Sequence, residues 1–329
     1  MKLIPTQDNP MPAGGVAAMI RAADGMPIRV ARWHPEGPCV GTALVCPGRA
    51  EFIEKYFETV GELLARGLTV VAFDWRGQGL SGRELPNRWK GHIDDFSFYE
   101  RDLDALSAQV LEPFCPKPWF ALAHSMGGAI LIAQSRAGRS PFARIVTTAP
   151  MIDIARLRFP RLARALAETL DAVGLGGAFV PGGGARAAIS RPFEGNALTS
   201  DPARFQRFAQ LWSAAPELAI GDPTIGWVNA AFRLMGEFAD GEYPRRVLTP
   251  ILVFSAGNDR IVDSRAVERF AHRLKAGAVI AIPGARHEIL MERDEIRSQF
   301  WAAFDAFIPG SDMPAEHVPA QPLASSSIA

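Results

Sequence analysis

The chain reads as an α/β protein with a mostly parallel central sheet covered by helices on both faces and a mainly helical insertion between two late strands. Three observations predict this. Short apolar, β-branched runs at 42–46, 68–73, 119–123, 144–148, 251–254 and 278–282 alternate with amphipathic helical patterns, which is the rhythm of repeated βα units. That rhythm fails between 151 and 243, where helical patterns follow one another and two glycine-rich loops, 174–177 and 181–184, interrupt them. A length of 329 residues, 48% hydrophobic and 21% charged, suits one large domain plus an inserted one.

In chain order, 17–21 and 28–33 flank Ala23-Asp24-Gly25 and predict an antiparallel hairpin leading into the sheet. The core then occupies 1–150 and 244–329, with 151–243 as a cap inserted over the functional site. The ends, 1–15 and 309–329, are rich in Pro, Ala and Ser and are expected to lack fixed structure. Helices are expected over 54–66, after Phe98 and over 267–275.

The most informative stretch is Phe120-Ala121-Leu122-Ala123-His124-Ser125-Met126-Gly127-Gly128. An apolar strand stops at a serine, and small residues carry the chain into a helix. Such a corner lifts one side chain out of the sheet, so Ser125 reads as an exposed nucleophile, with Ala123 and Gly127 small enough to let the strand end and the helix start approach. The pattern alone is weak, because any strand-to-helix turn favours Gly, Ala and Ser. Chain order strengthens it: an acid and then a histidine must follow, each in a loop after a later strand.

Both are present. Asp259 lies where the run 250–256 ends in the turn Gly257-Asn258-Asp259, at the carboxyl end of a strand, where open α/β sheets place their working residues. Asp263 fits better as the cap of a helix starting near Ser264. His287 follows the strand 278–282 and a Pro-Gly loop, and is the one histidine of six that follows the acid in such a position. His272 falls inside a helical stretch on a solvated face; His34, His92 and His317 precede the serine or lie in the tail. His124 adjoins the serine, and strand alternation predicts that it points to the opposite side.

An acyl-transfer site also needs two backbone N–H groups aimed at the developing oxyanion. Met126, after the nucleophile, supplies one. The other is expected from Arg49, in the loop Pro47-Gly48-Arg49-Ala50-Glu51 that follows the strand 42–46, acting through its amide and not its charge.

Together these motifs resemble the α/β-hydrolase superfamily. Cys46-Pro47-Gly48-Arg49, the run from Phe73 to Arg83 (FDWRGQGLSGR), Leu122 to Ile130 around the serine, and Asn196-Ala197-Leu198-Thr199-Ser200-Asp201 are similar to the lysophospholipase L2 and monoacylglycerol lipase group, over about 17–307. Pro47 stands where the lipases carry a histidine, which matches the lysophospholipase branch. The resemblance implies a catalytic set of Ser125, Asp259 and His287, with Arg49 and Met126 as oxyanion donors. It implies a serine hydrolase cleaving acyl-lipid esters through an acyl-enzyme, without cofactor or metal. Rival readings keep the fold but make it a small-ester carboxylesterase, an amidase or peptidase, or an acyltransferase; a non-catalytic binding protein is a reading of another class.

Balanced charge, 35 basic against 35 acidic residues, gives no electrostatic case for nucleic acid. Three cysteines without metal spacing and a start lacking an apolar signal core predict a reducing, cytoplasmic setting. The insertion carries Phe159, Leu162, Leu166, Phe205, Phe208 and Trp212, most of which are expected to pack together while about a third face an acyl chain. Arg156, Arg158, Arg161 and Arg164 read first as a solvated helix face, with a phosphate headgroup or peripheral contact at a membrane surface as the alternative. Asp102 and Asp104 are expected to be solvated. His92 with Asp94 and Asp95 is expected not to bind metal, because adjacent acids diverge from the backbone. Nothing in the residues specifies an oligomeric state.

Overall fold

The computed structural model describes residues 2–185 and 192–310. Eight strands form one sheet: β1 (Val16–Arg21), β2 (Pro27–Trp33), β3 (Gly41–Cys46), β4 (Leu68–Phe73), β5 (Trp119–His124), β6 (Arg144–Thr148), β7 (Ile251–Ala256) and β8 (Gly277–Ile282). They lie in the order β1-β2-β4-β3-β5-β6-β7-β8. β1 and β2 pair antiparallel, and β2 joins β4 antiparallel. All pairs from β4 through β8 are parallel.

The helices are α1 (Phe57–Leu64), α2 (Ser97–Leu106), the single turn α3 (Glu112–Phe114), α4 (Met126–Arg136), α5 (Pro160–Leu170), α6 (Pro202–Ala214), α7 (Ile225–Phe238), α8 (Ser264–Ala271) and α9 (Asp294–Phe307). Strands β3, β4, β5 and β7 are buried along their whole length, as parallel strands covered on both sides must be. Their alternation divides the core. Ala121, Ala123, Leu44 and Val253 face a cluster built with α2, α4, α7 and α8, while Phe120, Leu122, Val45 and Leu252 face one built with α1 and α9. The expected helix over 54–66 starts as a 3-10 turn, Ile53–Tyr56, before α1, and the one expected over 267–275 is α8.

Helices α5, α6 and α7 fall between β6 and β7, where the strand rhythm fails. α6 is tied down by an apolar contact set including Phe52, Phe205, Phe208 and Met291 and by charge. Glu58 of α1 accepts from Arg204 and Arg207 of α6, and it also pairs with Arg297 of α9.

Two expectations are corrected. The amino end is not loose over residues 2–15. Leu3 is buried, Asn9 Nδ2 donates to the Glu54 carbonyl at 2.8 Å and the Ile4 amide donates to Glu54 Oε1 at 3.2 Å, so the 3-10 turn before α1 supplies the anchors. Of the other end, all beyond Gly310 lies outside the described residues. Asp102 is not solvated: it is fully buried in α2 and accepts from Arg76 Nε at 2.8 Å, Arg76 Nη2 at 2.7 Å and the Arg76 amide at 3.1 Å. A guanidinium from the loop after β4 provides the donors that water would otherwise give.

Candidate active site

β5 runs through His124 and turns abruptly at Ser125, whose φ of 48° and ψ of −112° lie outside the regions ordinary for a residue with a Cβ. A conformation of this kind costs about 1–3 kcal/mol and persists only when the surroundings hold it. Here the Ser125 amide donates to the Thr148 carbonyl at 3.0 Å, and the Ser125 carbonyl accepts from the amides of Ala129 and Met151. A Cβ on Gly127 would meet the carbonyl oxygens of Cys46 at 2.5 Å and Pro47 at 2.6 Å, so only glycine allows α4 to start against the loop after β3.

The three residues named for proton transfer meet at the carboxyl end of the sheet. Ser125 Oγ lies 3.0 Å from His287 Nε2, and His287 Nδ1 lies 2.7 Å from Asp259 Oδ2. The other oxygen of Asp259 accepts from the amides of Ile261 at 2.7 Å and Val262 at 3.0 Å. Burial pushes the Asp259 carboxyl up, but the His287 hydrogen bond and charge and these two amides outweigh it and hold the group below its ordinary value. Asp263 instead caps α8, accepting from the amides of Arg265 and Ala266.

Around the second donor, the loop after β3 is fixed at nearly every polar atom. The Gly48 amide donates to Glu51, the Ala50 amide to Gln78, Trp75 Nε1 donates to the Pro47 carbonyl at 2.8 Å, and Gln78 Nε2 donates to the Gly48 carbonyl at 3.3 Å. Between the two engaged amides, that of Arg49 donates to no group among the described residues, and neither does that of Met126. These are the two N–H groups expected to receive an oxyanion.

Several contributors escaped the sequence reading. His124 does not point away from the site. Its ring meets that of His287 edge-on, with centroids 4.7 Å apart, its Nδ1 donates to Thr148 and its Nε2 lies 3.4 Å from Glu288. Alternation holds, placing His124 on the face of Phe120 and Leu122, but His287 lies on that same face, between Ala285 and Ile289 of the same cluster. Behind the two imidazoles, Lys55 bridges Glu51 and Glu288, with the Glu288 contact at 2.7 Å, and Tyr56 Oη donates to Glu51 at 2.5 Å. All are buried. Burial pushes the Lys55 ammonium and the His124 imidazolium down, but the charges of Glu288 and Glu51 reverse this and raise both. The donor atoms of Glu51, His124 and Glu288 lie within 4.8 Å of one another, the spacing of a cation site; the Lys55 ammonium already sits between the two carboxylates.

The motif Asn196 to Asp201 also gains a role. The carbonyls of Ala197 and Leu198 accept from the amides of His287 and Glu288. Thr199 Oγ1 donates to the Met291 carbonyl at 2.6 Å, and Arg286 Nη1 donates to the Thr199 carbonyl at 2.7 Å. The segment splints the histidine loop. His92 bonds Thr224 at 2.8 Å and Asp94 at 2.9 Å, and His272 is exposed past the end of α8.

The profile of the family described as Hydrolase_4, serine aminopeptidase S33, matches residues 37–294. Lysophospholipase L2 of Escherichia coli (strain K12) is 34% identical over 295 residues, covering 85% of this chain and 84% of that protein. A monoacylglycerol lipase of Mycolicibacterium smegmatis is 25% identical, covering 80% and 86%. Among solved structures, a carboxyl esterase from Bacillus coagulans aligns with a TM-score of 0.73 at 19% identity, over 91% of this chain and 99% of that one. A monoglyceride lipase from Saccharomyces cerevisiae aligns at 0.71 and 16%, over 93% and 99%. The architecture is the α/β-hydrolase fold.

Proposed function

Because the chain belongs to the serine aminopeptidase S33 (Hydrolase_4) family, we propose that it hydrolyses carboxylic esters of acyl lipids, lysophospholipids foremost, through an acyl-enzyme on Ser125. The observation that carries this is the unbroken relay from Ser125 Oγ through His287 to Asp259, at 3.0 and 2.7 Å. His287 Nε2 takes the hydroxyl proton as Oγ attacks the ester carbonyl, and the amides of Arg49 and Met126 donate to the resulting oxyanion. Collapse breaks the ester bond, and the imidazolium returns its proton to the departing glycerol oxygen. Water, deprotonated by the same nitrogen, then releases the fatty acid. Asp259 keeps Nδ1 protonated, so that Nε2 faces the serine.

The 34% identity to a lysophospholipase over most of both chains supports the lipid substrate. We read 151–243 as the cap above this site. On it, Phe159, Leu162, Leu166, Val173 and Leu175 are 47–66% exposed, so that of the six apolar residues singled out on the insertion, Phe159, Leu162 and Leu166 are not buried. Arg158 lies over the Phe159 ring, 5.3 Å from its centroid, and Arg161 is exposed beside Leu162. An apolar helix face fringed by cations supports peripheral contact with a lipid surface. Among the described residues no helix is long and apolar enough to cross a membrane.

The test is hydrolysis across an ester series from acetyl to long acyl, with glycerol and glycerophospho leaving groups and an aminoacyl anilide for comparison. Preference for long-acyl esters, abolished in Ser125→Ala, is the expected result. Preference for the anilide, or full activity in Ser125→Ala, contradicts the proposal.

A further inference from the structure

Arg49 has a side chain that the reaction described above leaves without a task. Its amide lies at the nucleophile, while its guanidinium extends from the floor of the site to the segment between β6 and β7. There Nη2 donates to the Gly221 carbonyl at 2.9 Å, and Cζ lies 5.1 Å from the centroid of the Trp227 ring. Its Nε is buried with no hydrogen-bond partner among the described residues. Several other arginines drawn into this molecule are answered by carboxylates, Arg29 by Asp74 at 2.6 Å and Glu54 at 2.7 Å, Arg76 by Asp102 at 2.7 Å, Arg297 by Glu58 and Glu62; Arg83, without one, donates to four backbone carbonyls, those of Gln78, Gly79, Ser81 and Arg88, where Arg49 has a single carbonyl. Among the described residues Arg49 has no carboxylate within ion-pair distance. Asp222, the acid whose charge acts on Arg49, instead accepts from the Gly184 amide at 3.0 Å.

Arg49 is half-buried, and drawing its guanidinium out of water with one carbonyl and one indole face for company is unfavourable. Burial pushes the group down to about 10, against small opposing effects of Tyr99 and Asp222. An anion delivered by the substrate would supply the missing partner in the planar, two-pronged geometry that guanidinium favours for phosphate.

We propose that the Arg49 guanidinium is the headgroup subsite of this enzyme, pairing with the phosphate of a lysophospholipid whose ester carbonyl is held by the amide of the same residue. The reach is right. An arginine places as many covalent bonds between its amide nitrogen and Cζ as a 1-acylglycerophospholipid places between its acyl carbon and its phosphorus. An uncharged monoacylglycerol fills the same acyl and glycerol positions and leaves the guanidinium unpaired. Selectivity for a phosphate-bearing leaving group therefore resides in a side chain whose backbone serves catalysis on any ester. The inference rests on the lipid-esterase reading above.

The experiment compares decanoyl lysophosphatidylethanolamine with decanoylglycerol, both as monomers, using the wild type, Arg49→Gln and Arg49→Lys. The quantity read is the ratio of the two kcat/KM values, which cancels damage to the shared oxyanion loop. Loss of a charge-assisted pair predicts a fall in that ratio of about 10- to 100-fold in Arg49→Gln, with Arg49→Lys between. Equal losses on both substrates make Arg49 only a latch for the segment above it and overturn the subsite. Competition against decanoylglycerol hydrolysis identifies the source of the anion. Glycerol 3-phosphate is expected to compete in the wild type and not in Arg49→Gln, whereas equal competition by inorganic phosphate overturns the headgroup assignment. A binding arm separates this inference from the proposed activity: affinities of both lipids for Ser125→Ala, with and without Arg49→Gln, read the subsite without turnover. An unchanged affinity ratio there overturns it even if the ester chemistry stands, and a reduced ratio supports it even if neither lipid is cleaved.

Discussion

Replacing Gly127 with alanine tests how the nucleophile turn and the oxyanion loop are built against each other. The added Cβ would sit 2.5 Å from the Cys46 carbonyl oxygen and 2.6 Å from that of Pro47. Both are backbone atoms of the segment that delivers the Arg49 amide, so neither can rotate aside. Reaching even 3.0 Å requires a shift of about 0.5 Å (3.0 − 2.5), and that segment is pinned by Trp75 Nε1 on Pro47, Gln78 on Gly48 and Ala50, and Glu51 on Gly48. Overpacking of this kind costs about 1–3 kcal/mol of stability. Misplacing one oxyanion donor lowers kcat by about 10²–10³-fold. Steady-state kinetics on a soluble chromogenic ester, paired with thermal unfolding, measures both, and the loss is expected in kcat with KM little changed. A Gly127→Ala enzyme within about threefold of wild-type kcat and with an unaltered melting temperature would refute the tight abutment of α4 on this loop, since removing a single donor alone is worth far more.

Ser125→Ala is expected to lower turnover at least about 10⁴-fold and Asp259→Asn by a similar order, because the amide presents the wrong partner to His287 Nδ1; circular dichroism should show both folded. Glu58 gives a pH prediction. Burial opposes its ionisation, but Arg204, Arg297 and Arg207 prevail and hold the carboxyl at about 2 against an ordinary 4.5. The carboxyl is depressed, so its stabilisation is present in full above its ordinary value and is lost as pH falls from about 4.5 through about 2. The amount is about 1–3 kcal/mol once its partial exposure is allowed for, and denaturant titrations at several pH values should show Glu58→Gln losing this acid sensitivity. Leu162→Asp with Leu166→Asp, on the exposed face of α5, should cut co-sedimentation with anionic vesicles several-fold while leaving hydrolysis of a soluble ester in place; unchanged sedimentation would remove α5 from the membrane contact.

Local pattern carried far because the site is assembled from strand ends. The serine corner, the acid after β7 and the histidine after β8 are each visible as an apolar run closed by a turn, and the parallel order of β5, β6, β7 and β8 brings them to one edge. The reading failed where partners are distant in sequence. Nothing local to Asp102 announces Arg76, and nothing in the Pro-rich amino end announces Glu54, which receives Ile4 and Asn9. The buried set of Glu51, Lys55, His124 and Glu288 joins two loops, a 3-10 turn and a strand, so its parts read separately as ordinary polar residues; the acid directly after His287 was its one local sign. His124 was misplaced for a different reason. Alternation does put His124 on the face opposite Ala123, with Phe120 and Leu122, but the histidine loop after β8 folds onto that same face, which nothing around His124 announces.

Covalent trapping addresses the central assignment most directly. A fluorophosphonate incubated with the folded protein and followed by peptide mass spectrometry should leave one adduct, on Ser125, abolished in Ser125→Ala and strongly slowed in His287→Ala. An adduct on another serine, or none on the folded chain, would contradict the account.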